Sequence, residues 1–210
     1  MTKRHNKNVY DIIHNEAVER SVAYIKKHLD TAMITDDSWW DTILHRIKQP
    51  GLCLEFGVYK GDSLNYFASF RPDIHWYGFD SFEGLQEDWI KGYYGKKFFT
   101  LNGNIPNLKS NITPIKGWFK DTLTPFLRNH NDDISYMHID CDTYTSTKDI
   151  LDRIDPSRFF KGSLIHFDEY MGYHGWEDHE FKAWQEYVKE HGIKYKYVLF
   201  SFMAVLVEIQ

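Results

Sequence analysis

Long apolar runs, a cationic surface and an array of cysteines are all missing from this 210-residue chain, and each absence removes a class of function. No window approaches the roughly 18 consecutive apolar residues of a membrane-spanning helix. Lys and Arg number 25 against 30 Asp and Glu, mixed along the chain for a net charge of -5, so there is no basic stripe of the kind that grips nucleic acid. The two cysteines, Cys53 and Cys141, lie within apolar strand-like runs and read as small buried thiols in a reducing compartment rather than as a disulfide. Residues 1–8 are basic and polar and lead into an amphipathic pattern, without the apolar core of a signal peptide, which makes a cytoplasmic location the expectation. No internal repeat, low-complexity segment or linker divides the sequence. The chain is therefore expected to be one domain over residues 1–210, with a small-molecule partner rather than a nucleic acid or a membrane. Its oligomeric state is left open, a homo-oligomer included.

What is present is an alternation. Tyr10, Ile13, Val18, Val22, Ile25 and Leu29 recur at helical spacing and predict a first helix ending near Asp30 and Thr31. Trp40, Ile43, Leu44 and Ile47 predict a second, with caps at Asp36 or Ser38 and a stop at Pro50-Gly51. These make residues 1–50 an N-terminal helical extension. The apolar run at 52–56 reads as a buried strand. Beyond it, strands at 75–80, 112–115, 134–140 and 163–168 alternate with helices at 62–70, 121–130, 145–154 and 177–191. That order implies an α/β fold, a doubly wound, mostly parallel sheet of seven strands with helices on both faces. The last two strand-like runs, 195–200 and 202–209, have almost nothing between them and should form an antiparallel hairpin. The one stretch outside the rhythm is 84–106, glycine-hinged and carrying Trp89, Tyr93, Tyr94, Phe98 and Phe99. It is either a lid over a cleft or a surface loop anchored by its aromatics.

Open α/β sheets bind ligands at the carboxyl ends of their strands, so those ends carry the functional reading. The first runs Glu55-Phe56-Gly57-Val58-Tyr59-Lys60-Gly61-Asp62-Ser63. Gly57 and Gly61 permit a tight turn and close approach to a ligand ahead of a helix. The spacing is not the dinucleotide fingerprint, and a carboxylate at Glu55 repels a pyrophosphate while suiting a cationic amino acid moiety, which favours S-adenosylmethionine over NAD. The second strand ends at Asp80-Ser81, about 20 residues further on, where a carboxylate can accept both ribose hydroxyls of an adenosine. Tyr59 and Ser63 join these as candidate cofactor contacts. Trp118 follows the third strand and either lines an adenine pocket or packs in the core.

The fourth strand ends at Asp140-Cys141-Asp142 and the fifth at Asp168-Glu169. Four carboxylates at one rim are costly to hold together unless a cation neutralises them or some stay protonated. A hard divalent ion, Mg²⁺ or Mn²⁺, resolves this, with Asp140, Asp168 and Glu169 as ligands; the alternative is that Asp142 and Glu169 merely cap the following helices. Such an ion would assist deprotonation of a hydroxyl, with Asp142 or His174 as the base. The segment 170–176, with Tyr173, His174 and Trp176 between glycines, either stacks on an acceptor or anchors a loop.

The segments Leu-Glu-Phe-Gly-Val-Tyr-Lys-Gly, Gly-Phe-Asp-Ser-Phe-Glu-Gly-Leu, Gly-Trp-Phe-Lys-Asp-Thr-Leu and His-Ile-Asp-Cys-Asp-Thr-Tyr-Thr-Ser-Thr together resemble the macrocin O-methyltransferase (TylF-like) family over roughly residues 38–190. The resemblance implies a class I methyltransferase fold with an antiparallel seventh strand. It also implies S-adenosylmethionine contacts at Glu55, Gly57, Gly61, Ser63, Asp80 and Ser81, a divalent metal on the acids after strands four and five, and a sugar hydroxyl as acceptor. The chain departs from the family in carrying Asp168-Glu169 where two adjacent aspartates are common, and the longer arm of Glu169 shifts that ligand. Competing readings are transfer to nitrogen, which needs no metal, a non-catalytic S-adenosylmethionine-binding module, and an NAD-dependent oxidoreductase, which lacks its glycine fingerprint here.

Overall fold

The structure, a computed structural model, describes residues 8–35, 39–90 and 94–210; the expected caps Asp36 and Ser38, and Tyr93 of the 84–106 segment, lie outside these. The elements follow the chain as α1 (Val9–Ile25), β1 (Met33–Ile34), α2 (Trp39–Leu44), β2 (Leu52–Phe56), α3 (Asp62–Phe70), β3 (Trp76–Asp80) and β4 (Ile112–Lys116). They continue as α4 (Phe119–Asn129), β5 (Ile134–Ile139), α5 (Tyr144–Leu151), β6 (Phe159–Phe167), α6 (Glu180–His191), β7 (Tyr195–Phe200) and β8 (Val205–Ile209). The alternation thus forms as expected, on one sheet of eight strands in the order β1-β7-β8-β6-β5-β2-β3-β4. The five strands from β4 to β6 are parallel, and β8 runs antiparallel between β6 and β7, which is the expected terminal hairpin. The eighth strand is the departure from the expected seven. Met33 and Ile34 add a two-residue parallel edge to β7, too short for any alternation to register in the sequence.

Every residue of β2 and β5 is buried, as befits central strands covered on both faces. Leu52, Leu54 and Phe56 of β2 pack with α4, α5 and α6, whereas Cys53 packs on the opposite face with Ile43, Leu44, Leu64 and Phe67 of α2 and α3. Cys53 and Cys141 are free and buried. No helix among the described residues is long and apolar enough to cross a membrane.

The first helix differs from its expectation. It stops at Ile25, and its buried residues are Ala17 and Ser21, while Val9, Ile12, Ile13 and Val22 are exposed. Small residues face inward because the main chain docks closely: Ser21 Oγ accepts the N–H of Gly172 at 2.9 Å. The helix forecast at 177–191 begins at Glu180, after a single tight turn at Trp176–Asp178.

β2 pairs with β3 on one side and β5 on the other, so the chain leaves β2 outward and later returns to its other flank. At such a switch point the loops leaving adjacent strands diverge and open a crevice at the carboxyl ends.

Candidate active site

The crevice holds a cavity of about 230 Å³, walled by Gly57, Tyr59, Asp80, Ser81, Trp118 and Phe119 on one side and by Asp140, Asp142 and Glu169 on the other. Gly84, Leu85, Gln86 and Phe99 of the 84–106 segment close a further wall. That segment is also pinned to the body, with Trp89 buried against Tyr173 at a ring separation of 5.4 Å. Its described residues form an anchored loop, four of whose residues line the cavity.

Asp80 organises the first of these walls. Its Oδ2 accepts the N–H groups of Val58 at 2.9 Å and Tyr59 at 2.7 Å, and its Oδ1 accepts that of Phe82 at 2.6 Å. One carboxylate thus fixes the glycine turn and the start of its own loop. Tyr59, Phe82 and Asp142 all adopt positive φ (46°, 58° and 64°), a backbone cost of about 1–3 kcal/mol each that clusters at ligand sites. Gly57 makes its turn at φ 96°, and a Cβ there would lie 1.6 Å from the carbonyl oxygen of Asp140. Its missing side chain admits the main chain after β5 and sets the two loops against each other.

Opposite, one carboxylate oxygen each from Asp140, Asp168 and Glu169 lies within 4.8 Å of the other two. Burial raises the pKa of Asp140 and of Glu169 well above the carboxylate range, and Asp168 adds to both. Asp142, 5% exposed, is pushed up to about 7 by burial and by Asp168. Glu169 Oε2 is buried without a hydrogen-bond partner. An all-oxygen set of crowded acids with an unmatched oxygen fits a hard divalent cation, whose charge would relieve what burial and repulsion impose.

Behind these acids a polar row crosses the sheet. Register aligns Glu55 of β2 with His138 of β5 and His166 of β6. Glu55 accepts from Ser63 Oγ at 3.0 Å and from His138 Nδ1 at 2.9 Å, and His166 Nδ1 meets the Tyr136 hydroxyl at 2.9 Å. Both Nε2 atoms stand 3.7 Å from Asp168 Oδ1. Burial opposes a charge on His138, but Asp168 and Glu55 overcome it and raise its pKa to about 10. Burial raises Glu55 as well, so the pair keeps a proton at neutral pH. Burial and the charge of His138 drive His166 well below its usual value, leaving it neutral. The two rings are stacked 4.0 Å apart and 8° from parallel. Their in-plane lone pairs run side by side instead of converging, so His138, His166 and Asp168 are a poor chelate and the carboxylate trio is the better one.

Of the residues singled out in the sequence, Gly57, Tyr59, Asp80, Ser81, Trp118, Asp140, Asp142 and Glu169 line the cavity, and Asp168 adjoins them. Glu55, Gly61, Ser63 and His174 do not. Glu55 falls inside the strand, one residue before its end, and is fully buried with both oxygens engaged. Ser63 serves Glu55, and Gly61 abuts Leu108. His174 is exposed in the turn before Gly175. Sequence reasoning missed His138, His166 and Glu180, whose signal was a polar residue inside an apolar run or stripe.

No curated protein sequence matches the chain. Solved structures share its fold. The calicheamicin methyltransferase CalS11 is 20% identical with a TM-score of 0.65, over 80% of this chain and 76% of that one. The O-methyltransferase NovP is 20% identical with a TM-score of 0.58, over 80% and 78%. MycE, a methyltransferase of the mycinamycin biosynthetic pathway solved with Mg and SAH, is 14% identical with a TM-score of 0.50, over 81% of this chain and 48% of that one. The methyltransferase domain family matches residues 54–170, which run from the heart of β2 through the acids that follow β6. With more than half its length matched, and the matched span containing every residue that lines the cavity, the chain belongs to the methyltransferase domain family.

Proposed function

We propose that this protein is an S-adenosylmethionine-dependent O-methyltransferase of the macrocin O-methyltransferase (TylF-like) type, assisted by Mg²⁺ or Mn²⁺ and acting on a hydroxyl of a small, sugar-bearing acceptor. The observation that carries the reading is the meeting of the Asp140, Asp168 and Glu169 oxygens, with Asp142 beside them, at the wall of the cavity that Gly57 and Asp80 also line. Gly57, Tyr59, Asp80, Ser81 and Trp118 are the residues to hold the cofactor, with Glu55, Ser63 and Gly61 supporting their loop from behind. Asp140, Asp168 and Glu169 would hold the cation.

A bound cation would make the acceptor hydroxyl easier to deprotonate, and the sulfonium of the cofactor supplies a methyl group activated for in-line displacement. Asp142 takes the hydroxyl proton as the oxygen–methyl bond forms and the methyl–sulfur bond breaks. Burial favours the protonated form of Asp142, which suits it to accept that proton better than an exposed aspartate would. The exposed His174 is the less suitable base. CalS11 is also described as a TDP-rhamnose 3'-O-methyltransferase, NovP as an O-methyltransferase, and MycE was solved with Mg and SAH; each supports the reading by likeness. The cavity lining among the described residues carries Asp80, Asp140, Asp142 and Glu169 and no lysine, arginine or histidine.

The test is calorimetric titration of S-adenosylmethionine into the protein with and without Mg²⁺, beside Asp80→Ala. Micromolar binding that the variant weakens by about tenfold or more, roughly the 1.4 kcal/mol of one charge-assisted contact, supports the cofactor assignment. Absence of binding in every condition overturns it.

A further inference from the structure

The aromatics of the 170–176 segment neither line the cavity nor face solvent: Tyr170, Tyr173 and Trp176 are all buried. Two of them turn towards α1 and β7, with the Tyr170 hydroxyl 2.8 Å from that of Tyr197 and the Trp176 ring 6.2 Å from that of Tyr24. Tyr173 makes different contacts. Its hydroxyl donates to the Glu169 carbonyl at 3.1 Å, closing the turn behind the acids, and its ring meets Trp89 edge-on, 5.4 Å away at 71°. Trp89 belongs to a continuous row. Its ring lies 5.0 Å from Tyr94, Tyr94 stacks on Phe99 at 6.3 Å, and Phe99 meets Tyr59 at 5.3 Å. Aromatic rings thus run from the loop after β6, along the 84–106 segment, to the loop after β2. Phe99 and Tyr59 line the cavity at one end of the row, and Glu169 lines it at the other.

We infer that Tyr173 is a positioning residue that sets the spacing between the cavity wall built from the 84–106 segment and the wall built from the acids after β6. The inference deepens the metal-assisted reading above and rests on it for what the spacing serves. Tyr173 stands on a fixed base: the N–H groups of Tyr170 and Met171 bond the Met203 carbonyl at 3.0 and 3.2 Å, and that of Gly172 bonds Ser21 Oγ at 2.9 Å. The polar anchors of the 84–106 segment lead elsewhere. Gln86 bonds Asp149 at 3.2 Å and Glu87 accepts the Thr145 N–H at 2.9 Å, so both reach α5. They hold the segment down without referring it to Asp168 and Glu169. Packed aromatic pairs have preferred separations and resist compression, so a buried ring between two loops transmits the position of one to the other.

The experiment compares wild type with Tyr173→Phe, which loses only the hydroxyl, and Tyr173→Leu, which loses the ring as well. Amide hydrogen exchange at Glu169, Trp89 and Tyr94, all bonded in the fold, is read by NMR without metal, with Trp76 of β3 as the control amide. Mn²⁺ affinity is read by electron paramagnetic resonance. Tyr173→Phe should quicken exchange at Glu169 and lower Mn²⁺ affinity by about three- to tenfold, the loss of one hydrogen bond, while Trp89 and Tyr94 stay within about twofold of wild type. Tyr173→Leu should also quicken Trp89 and Tyr94, by about tenfold more than Trp76. A merely structural role would quicken all four amides together in both variants, which overturns the inference. So does a leucine variant with unchanged exchange at Trp89, or a phenylalanine variant with unchanged Mn²⁺ affinity. If wild type binds no Mn²⁺, the metal reading falls, and exchange at Glu169 and Trp89 decides the spacing by itself.

Discussion

Replacing Asp142 by asparagine should make the metal-free protein more stable at pH 8 while abolishing transfer. Asp142 is buried, its φ is 64°, and its pKa is pushed up to about 7 from 3.8, chiefly by burial and then by Asp168. At about 1.4 kcal/mol per pH unit, ionised Asp142 costs the fold about 4 kcal/mol, part of it shared with Asp168, so a gain of about 2–4 kcal/mol is expected on removing the charge. Below about pH 3 the carboxyl is protonated in both folded and unfolded chains, and nothing is lost. As pH rises towards 7 the unfolded chain ionises while the folded one holds its proton, so folding stability declines and stays reduced above the folded pKa. Asparagine has the same shape, tolerates the left-handed backbone and does not ionise. Urea denaturation of both proteins in chelator at pH 4.5 and pH 8 checks this. The advantage of Asp142→Asn should be present at pH 8, largely gone at pH 4.5, and diminished at pH 8 by Mn²⁺, which offsets the same repulsion in the wild type. Equal differences at both pH values, or a variant less stable at pH 8, would refute the electrostatic account of the site.

Two further outcomes follow from close packing and from the polar row. Gly57→Ala places a methyl 1.6 Å from the Asp140 carbonyl oxygen at a φ of 96°, so the loops after β2 and β5 must part; a loss of about 3 kcal/mol or more, with cofactor binding abolished, is expected by urea unfolding and calorimetry. His138→Phe strands Glu55 in a dry interior and should cost about 3–5 kcal/mol by urea unfolding at pH 7, and the double variant with Glu55→Gln should recover part of it; additive losses would show that the pair is not coupled.

The alternation of strands and helices was legible because buried parallel strands are unbroken apolar runs, and Asp80, Asp140, Asp168 and Glu169 were legible because they stand where those runs stop. The two-residue β1 and the inward face of α1, Ala17 and Ser21, were not, since one is shorter than any period and the other depends on how closely a main chain approaches. Glu180 reads locally as an acid in the first turn of a helix, favoured there by the helix dipole; only its place at the head of a buried stripe distinguishes it.

Glu55 is the instructive case, because it shares a motif with Gly57 and yet does different work. The strand ends at Phe56, where the apolar run stops, so Glu55 lies inside it, and a side chain inside a strand covered on both faces meets the core rather than the crevice at the strand's end. A different argument from the sequence reaches the answer. Glu55, His138 and His166 each interrupt a strand that is otherwise apolar, and a polar group inside a covered sheet requires a partner. The adjacent strand is the nearest place to find one, so three such interruptions on neighbouring parallel strands are best read as a set. In the structure they form one row at common register, with Glu55 bonded to His138 and both imidazoles facing Asp168. The acid assigned to the cofactor by its motif therefore connects, through His138, to Asp168 and the carboxylates gathered around it.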